Sequence, residues 1–229
     1  MYKAVVFDLD DTLISEKEYI KSGYKSVAKF IEEKYKIDQG KVYNQLMELF
    51  RKSPKNVFNR FFEKNNIQYG KIEIDKLIEH YRRHKPEIYF FDDVKPTIMK
   101  LKKIGIKTGI ITDGYKETQR NKLEVLKAKE LFDQIIITDE LGREYWKPNP
   151  MAFELMKQAL KVEYNEMIYV GDNPEKDFYI GSVYPITCVR IIRDENIYND
   201  KEYRNGITEK IRINKLIELE KMIWKKYYL

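Results

Sequence analysis

Hydrophobic positions along the chain follow two different patterns. From Ser15 to about Arg83 they recur every three or four residues, which is the spacing of amphipathic helices. In the rest of the chain, short apolar runs that suit buried strands alternate with segments of helical spacing. After the apolar run at Ala4–Phe7, strands are predicted at Lys107–Thr112, Gln134–Thr138, Met167–Gly171 and Ile186–Ile192, and helices near Val94–Lys103, Lys116–Lys127, Pro150–Leu160 and Pro174–Val183.

This alternation of strands and helices predicts an α/β fold in which right-handed crossovers build a parallel sheet. The helical segment interrupts the alternation, so two domains are predicted: a core of residues 1–14 and 88–229, and an all-helical insertion of residues 15–87. Residues 193–206 are polar and are predicted to be a loop. Residues 214–224 are predicted to form a closing amphipathic helix.

Composition narrows the classes of protein that fit. Hydrophobic residues make up 43% of the 229 positions, which is enough for a sizeable core. The net charge of +6 is spread along the chain, which favours a small anionic ligand, or a charge that serves solubility alone, over nucleic acid. The first strand begins almost at Met1, and no apolar run reaches about 18 residues, so we expect a cytoplasmic protein without a membrane partner. The single cysteine, Cys188, lies in an apolar stretch and is predicted to be a buried thiol.

The first strand runs directly into clustered carboxylates, Asp8, Asp10 and Asp11. Ligands of open α/β sheets bind at the carboxyl ends of strands, so these side chains stand where chemistry is expected. Neighbouring carboxylates repel one another unless a cation lies among them, and Mg²⁺ takes oxygen ligands of this kind. A surface turn after an ordinary strand is the alternative for this motif taken alone.

Two further strand ends carry groups that suit phosphate chemistry. Thr112, Asp113 and Gly114 offer a hydroxyl and turn amides that can hold a phosphate, although for this tripeptide taken alone a helix N-cap at Thr112 is the favoured interpretation. After the strand that ends at Gly171, Asp172 can reach a metal at the sheet edge or cap the helix predicted from Pro174.

One lysine lies in a turn that restricts its direction. Lys147 is followed by Pro148, and Pro150 is expected to start the next helix. Such a turn can direct an ammonium group toward a site. A solvated surface charge is the alternative for this lysine considered alone.

Taken together, these motifs resemble those of the haloacid dehalogenase superfamily. The four motifs correspond to Asp8 through Thr12, to Thr112, to Lys147, and to Gly171-Asp172 with Asp177, and they occur in the family's order. The resemblance implies a doubly wound, Rossmann-like core, and the helical insertion looks like that family's C1 cap. Two positions depart from the family: Asp11 stands where glycine is frequent, and Asp113 stands where asparagine is frequent and puts an extra carboxylate near the phosphate.

The resemblance also implies a role for each motif residue. Asp8 is the nucleophile that forms an aspartyl-phosphate, and Asp10 is the general acid and base. Mg²⁺ is bound by the Asp8 carboxylate, the Asp10 main-chain carbonyl, Asp172 and water. Asp177 supports the metal site from behind its direct ligands or orients Lys147. The implied catalytic residues are Asp8, Asp10, Thr112 and Lys147, and those that bind phosphate are Leu9, Thr112, Asp113, Gly114 and Lys147.

The expected activity is Mg²⁺-dependent hydrolysis of a small phosphorylated metabolite by a monomer or homodimer.

Asp10 and Asp172 argue against a dehalogenase, which lacks a carboxylate at the position of Asp10 and needs no metal. A sugar phosphomutase or a phosphonatase of the same superfamily remains an alternative. A phospho-accepting receiver domain is disfavoured because Lys147 precedes Asp172, and a non-catalytic binding protein is disfavoured because every catalytic group is present. Sugar phosphates, nucleotides and small organic phosphates all remain candidate substrates.

Overall fold

The protein is built around a six-stranded, fully parallel sheet with the order β3-β2-β1-β4-β5-β6. The structure is a computed structural model, and it describes residues 1–194 and 201–224. Placing β1 between β2 and β4 makes this a doubly wound α/β fold, as predicted. The strands are β1 Ala4–Phe7, β2 Lys107–Thr112, β3 Gln134–Ile137, β4 Met167–Gly171, β5 Thr187–Ile191 and β6 Ile211–Ile213.

Helices occupy most of the connections, and four of them lie in the long insertion after β1. Six more follow in the remainder of the described chain. The helices are α1 Glu16–Tyr35, α2 Gln39–Lys52, α3 Val57–Lys64, α4 Lys71–Arg83, α5 Val94–Lys103, α6 Lys116–Val125, α7 Ala128–Leu131, α8 Met151–Leu160, α9 Ile180–Val183 and α10 Leu219–Trp224.

The chain divides into two compact units. One comprises residues 1–16 together with the described residues from Ile88 onward, and it contains the sheet. The other comprises Lys17–Glu87 and contains helices but no strand. This second unit has an apolar core of its own, to which α1, α2, α3 and α4 all contribute, with Val27, Leu46, Phe61, Phe62 and Leu77 among its buried residues.

Two elements differ from the sequence predictions. The helix predicted over residues 174–183 is wrong for most of its length, because only Ile180–Val183 is helical. The main-chain amides of Lys176 and Asp177 both donate to the Asn173 carbonyl, so the chain turns here instead of starting a long helix. β6 was missed because three residues with a central arginine carry too little pattern to predict a strand.

The end of the chain also differs in detail. The predicted closing helix over residues 214–224 is shorter than expected, since a 3-10 turn at Leu216–Glu218 precedes α10. The predicted loop over residues 193–206 lies partly outside the described residues. Its described part includes a 3-10 turn at Arg204–Gly206.

The Cys188 thiol should resist alkylation in the folded protein. Cys188 lies in β5 and is 3% exposed, which confirms the predicted burial. Because burial raises its pKa to about 12, very little reactive thiolate exists at neutral pH. We therefore expect no mass increase with iodoacetamide at pH 7.5, and a single adduct after unfolding in guanidinium chloride. Rapid labelling of the native protein would contradict this burial.

Candidate active site

The candidate site lies at the carboxyl end of the central strand. β1 ends at Phe7, which pairs with Ile110 of β2 and Val170 of β4. The next residue, Asp8, donates its main-chain N–H to the Val170 carbonyl at 2.8 Å. Asp8 therefore lies where the strand order reverses, which is the position at which open α/β sheets bind ligands.

Lys147 connects Asp8, which follows β1, with Tyr169 of β4 and with Asp177 in the turn after β4. Its Nζ donates to Asp8 Oδ1 at 2.6 Å, to Asp177 Oδ1 at 2.8 Å and to the Tyr169 hydroxyl at 2.9 Å. Tyr169 in turn donates to Asp177 Oδ1 at 3.0 Å. Lys147 is only 6% exposed, so the structure places it inside the site and not on a solvated surface.

This cluster carries more negative than positive charge. Burial raises the pKa of Asp8 to about 7, against the opposing attraction of Lys147. Burial also disfavours the charge on Lys147, but Asp177 and Asp8 together hold the Lys147 pKa well above its usual value. The lysine thus stays charged, while one ammonium is too little to neutralise the surrounding carboxylates.

Three carboxylates in this cluster are close enough to share a cation. One oxygen from each of Asp8, Asp172 and Asp177 lies within 4.8 Å of the others, and all three residues are buried. The Thr12 hydroxyl donates to Asp172 Oδ1 at 3.3 Å. Oxygen donors with surplus negative charge fit a hard divalent ion such as Mg²⁺. Asp177 belongs to this group and also accepts the hydrogen bond from Lys147 Nζ, so its contacts are compatible with both roles predicted for it, support of the metal site and orientation of the lysine.

Close packing explains the glycine that precedes Asp172. A Cβ atom on Gly171 would lie 2.5 Å from Asp177 Oδ2, which is too short for any real contact. The same oxygen of Asp177 accepts the Asn173 main-chain N–H at 2.9 Å. The turn that follows β4 is therefore shaped around the Asp177 carboxylate, and a larger residue at position 171 would displace it.

The Asp10 carboxylate belongs to a separate polar group formed with α6. Lys122 Nζ lies 2.7 Å and 2.8 Å from its two oxygens, and Gln119 Nε2 donates to its Oδ2 at 3.0 Å. The same Gln119 nitrogen lies 2.6 Å from Thr112 Oγ1. Asp10 and Thr112 are thus brought together, while the Asp10 side chain is not one of the three clustered carboxylates.

Sequence reasoning missed four residues around the site: Lys122, Gln119, Tyr169 and Arg193. The Arg193 guanidinium donates to the Thr12 carbonyl at 2.9 Å and pairs with Asp93 through two contacts of 2.9 Å and 3.0 Å. It thereby fixes the loop that follows Asp8.

No local motif marks any of these four residues in the sequence, because each is an ordinary residue type for the helix, strand or loop that carries it.

The local structure explains how aspartate fits at position 11, where glycine is frequent in the family. Asp11 has a φ of 50°, a left-handed conformation that favours glycine and that aspartate tolerates better than most residues. Its carboxylate accepts the main-chain N–H of Glu16, the first residue of α1, at 2.8 Å. The side chain thus offsets backbone strain by capping the start of a helix.

The phosphate-binding residues predicted near Asp8 and Thr112 occupy tight turns. Leu9 is fully buried, and its carbonyl accepts the amides of Leu13 and Ile14. Gly114 has a φ of 122°, and a Cβ there would lie 3.2 Å from the Gln119 side chain. The positive φ therefore favours glycine in the turn after β2, and the Gln119 side chain leaves little room for a larger residue there.

The Asp113 carboxylate supports the loop that carries Lys147. Asp113 Oδ1 accepts the Thr138 hydroxyl at 2.7 Å and the Lys147 main-chain N–H at 3.0 Å. Lys176 Nζ lies 3.5 Å from the other oxygen. The Asp113 carboxylate thus helps to hold the main chain at Lys147. The prediction that this carboxylate lies near the bound phosphate remains a separate prediction.

Removal of this support should destabilise the protein. We expect Asp113→Ala to lower the free energy of unfolding by about 1–3 kcal/mol, because it leaves the buried Lys147 main-chain N–H without its acceptor and leaves the Thr138 hydroxyl only the Thr112 carbonyl. Asp113→Asn keeps an acceptor oxygen and should lose much less. Urea denaturation of the two variants measures this difference, and equal stability of Asp113→Ala and the unmodified protein would show that these contacts contribute nothing.

Comparison with known proteins identifies the family. Residues 5–190 match the model of the haloacid dehalogenase-like hydrolases. The chain belongs to this family, which confirms the resemblance drawn from its four motifs. None of the helices in the described ranges combines the length and apolar character needed to cross a bilayer.

Two relatives and one solved structure show what the chain is similar to. A glyceraldehyde 3-phosphate phosphatase of Methanopyrus kandleri is 29% identical over 213 residues, which cover 90% of this chain and 89% of that protein. The pyrophosphatase PpaX of Bacillus cereus is 28% identical over 175 residues, 74% of each chain. A phosphatase of the same superfamily from Thermococcus onnurineus superposes with a TM-score of 0.62 at 27% identity, covering 96% of this chain and 97% of that one.

Proposed function

We propose that this protein is a Mg²⁺-dependent phosphomonoester hydrolase that acts through an aspartyl-phosphate on Asp8. The observation that carries the proposal is the placement of Asp8 beside Lys147 at the reversal of strand order, with Asp172 and Asp177 completing a buried acidic cluster. A nucleophile, a fixed cation and a set of metal-type oxygen donors are what phosphoryl transfer to a carboxylate requires.

In the proposed first step, an Asp8 oxygen attacks phosphorus and the bond to the leaving oxygen breaks. The Thr112 hydroxyl and the amides after it hold the phosphoryl oxygens, while Asp10 gives its proton to the departing alkoxide. In the second step, Asp10 takes a proton from water, whose oxygen attacks the phosphorus. Inorganic phosphate leaves, and the Asp8 carboxylate and the protonated Asp10 are restored.

Charge is the main obstacle to the first step. A carboxylate about 4 Å from a phosphate charge is repelled by about 4 kcal/mol at an effective dielectric constant near 20. Lys147 offsets part of this repulsion through its contact with Asp8. Mg²⁺ held by Asp8, Asp172 and the Asp10 main-chain carbonyl, with Asp177 alongside, supplies the remaining positive charge when bound.

Relatives suggest where a substrate search should begin. The Methanopyrus kandleri relative is named for a three-carbon sugar phosphate, and the Bacillus cereus relative for pyrophosphate. The shared core chemistry accepts either phosphoryl group. We place a small sugar phosphate first, because that relative covers more of this chain.

The test is a turnover assay with purified protein and Mg²⁺. Release of inorganic phosphate is measured from glyceraldehyde 3-phosphate, other sugar phosphates, nucleotides, pyrophosphate and an aryl phosphate. We expect hydrolysis of the aryl phosphate and of at least one small phosphate ester. No phosphate release from any of these substrates would overturn the proposal.

We further propose that residues 15–87 act as a C1 cap that sets substrate preference. This segment has a helical core of its own, so its surface can change without disturbing the catalytic groups at the sheet. Substitutions of its exposed side chains should alter the ranking of phosphorylated substrates while sparing hydrolysis of a small aryl phosphate. A panel of such variants with an unchanged ranking would contradict this role.

A further inference from the structure

A buried lysine on α6 lies outside the four motifs. Lys122 is 3% exposed, although its neighbour Lys116 on the same helix is exposed. Burying an ammonium group is costly unless an opposite charge accompanies it. Lys122 meets this condition through its contacts of 2.7 Å and 2.8 Å to the two carboxylate oxygens of Asp10.

A glutamine one helical turn earlier completes the arrangement. Gln119 is 1% exposed and lies on the same face of α6 as Lys122, three residues before it. Its Nε2 lies 3.0 Å from Asp10 Oδ2 and 2.6 Å from Thr112 Oγ1. Asp10 and the Thr112 hydroxyl are thus both within reach of one amide nitrogen.

We infer that Lys122 and Gln119 are positioning residues that hold the Asp10 carboxylate beside Thr112 for proton transfer to and from the substrate. This inference rests on the proposed phosphatase function. The Asp10 side chain is 19% exposed and can face a substrate, whereas the Lys122 side chain is only 4% exposed and acts through Asp10. A small error in the placement of a catalytic group is enough to lower its rate contribution strongly.

The proton balance of the reaction leaves Lys122 unchanged. Asp10 gives its proton to the leaving oxygen in the first step and recovers a proton from water in the second. Lys122 neither gives nor takes a proton in either step, and its Nζ donates hydrogen bonds to the Asp10 oxygens. Its contribution should therefore be largest when the leaving group needs a proton most.

The test compares leaving groups under conditions that report the first step. The quantity measured is kcat/KM, with Mg²⁺ present, for an alkyl phosphate and for an activated aryl phosphate whose oxygen departs without a proton. The variants are Lys122→Met, Lys122→Arg, Asp10→Asn and the double variant Lys122→Met with Asp10→Asn. Lys129→Met, at an exposed lysine on the neighbouring helix α7, is the matched control.

We expect Lys122→Met to lower kcat/KM for the alkyl phosphate about 10-fold to 100-fold, and for the aryl phosphate much less. Lys122→Arg should recover part of the loss. In the Asp10→Asn background, the same Met substitution should add little, because the group that it positions is already gone. The Lys129→Met control should match the unmodified protein.

Several results would overturn the inference. They are no loss in Lys122→Met, an equal loss for both substrates, or full additivity with Asp10→Asn. Should Lys122→Met fail to fold by circular dichroism, Lys122→Gln, which keeps a hydrogen-bond donor without the charge, carries the same comparison. An unmodified protein without any turnover would instead refute the proposed function itself, and the positioning role with it.

Discussion

Replacing Asp8 with asparagine should lower the turnover rate of every phosphomonoester by about 10⁴-fold or more. The amide is nearly isosteric with the carboxylate and can still accept the hydrogen bond from Lys147 Nζ, but it cannot attack phosphorus. No covalent intermediate can then form. Phosphate release under single-turnover conditions, together with mass spectrometry of acid-quenched protein, measures both consequences.

The pH dependence of the free energy of unfolding provides a second, independent readout for the Asp8→Asn variant. Because burial raises the pKa of Asp8 from 3.8 to about 7, the folded protein binds a proton that the unfolded chain has already lost in that pH range. In the absence of metal, the contribution of Asp8 to the free energy of unfolding therefore falls as the pH rises from about 4 to about 7.

Asp8→Asn should lack this pH-dependent loss while remaining folded. Urea denaturation in chelator at several pH values compares the variant with the unmodified protein. Normal turnover in Asp8→Asn, once deamidation has been excluded by mass, would disprove covalent catalysis.

Much of this site follows from the sequence because parallel strands end at a common edge. Asp8, Thr112 and Asp172 each follow an apolar run, so predicting the strands also predicts that their carboxyl ends meet. Lys147 is not at a strand end, and its prediction as a site residue rested on its proline-flanked turn and on the resemblance of the four motifs to the haloacid dehalogenase superfamily. The structure shows it bonded to Asp8 and Asp177.

The remaining parts of the site depend on contacts that leave no local pattern. Lys122 is a lysine in a polar helix, which predicts a solvated charge until the position of Asp10 is known. The helix predicted from Pro174 fails for a similar reason, because the Asp177 carboxylate takes the Asn173 amide and shapes a turn there. Tertiary hydrogen bonds outweigh local propensity at both places.

Removal of divalent metal should abolish hydrolysis, and added Mg²⁺ should restore it. The carboxylates of Asp8, Asp172 and Asp177 carry more negative charge than Lys147 can neutralise, and a phosphate brings still more. Ca²⁺ should support far less activity, since it prefers longer bonds and more ligands than Mg²⁺. Turnover in excess chelator, followed by titration with each cation, measures the requirement.

A second readout separates metal binding from catalysis. A ligand that binds only the folded state stabilises it by about 2.7 kcal/mol at a concentration 100 times its dissociation constant, so Mg²⁺ should raise the melting temperature. Asp172→Asn should weaken that response and require more Mg²⁺ for activity, whereas Asp139→Asn, outside the acidic cluster, should change neither. Full activity of rigorously metal-free protein would show that these carboxylates serve the reaction without a cation.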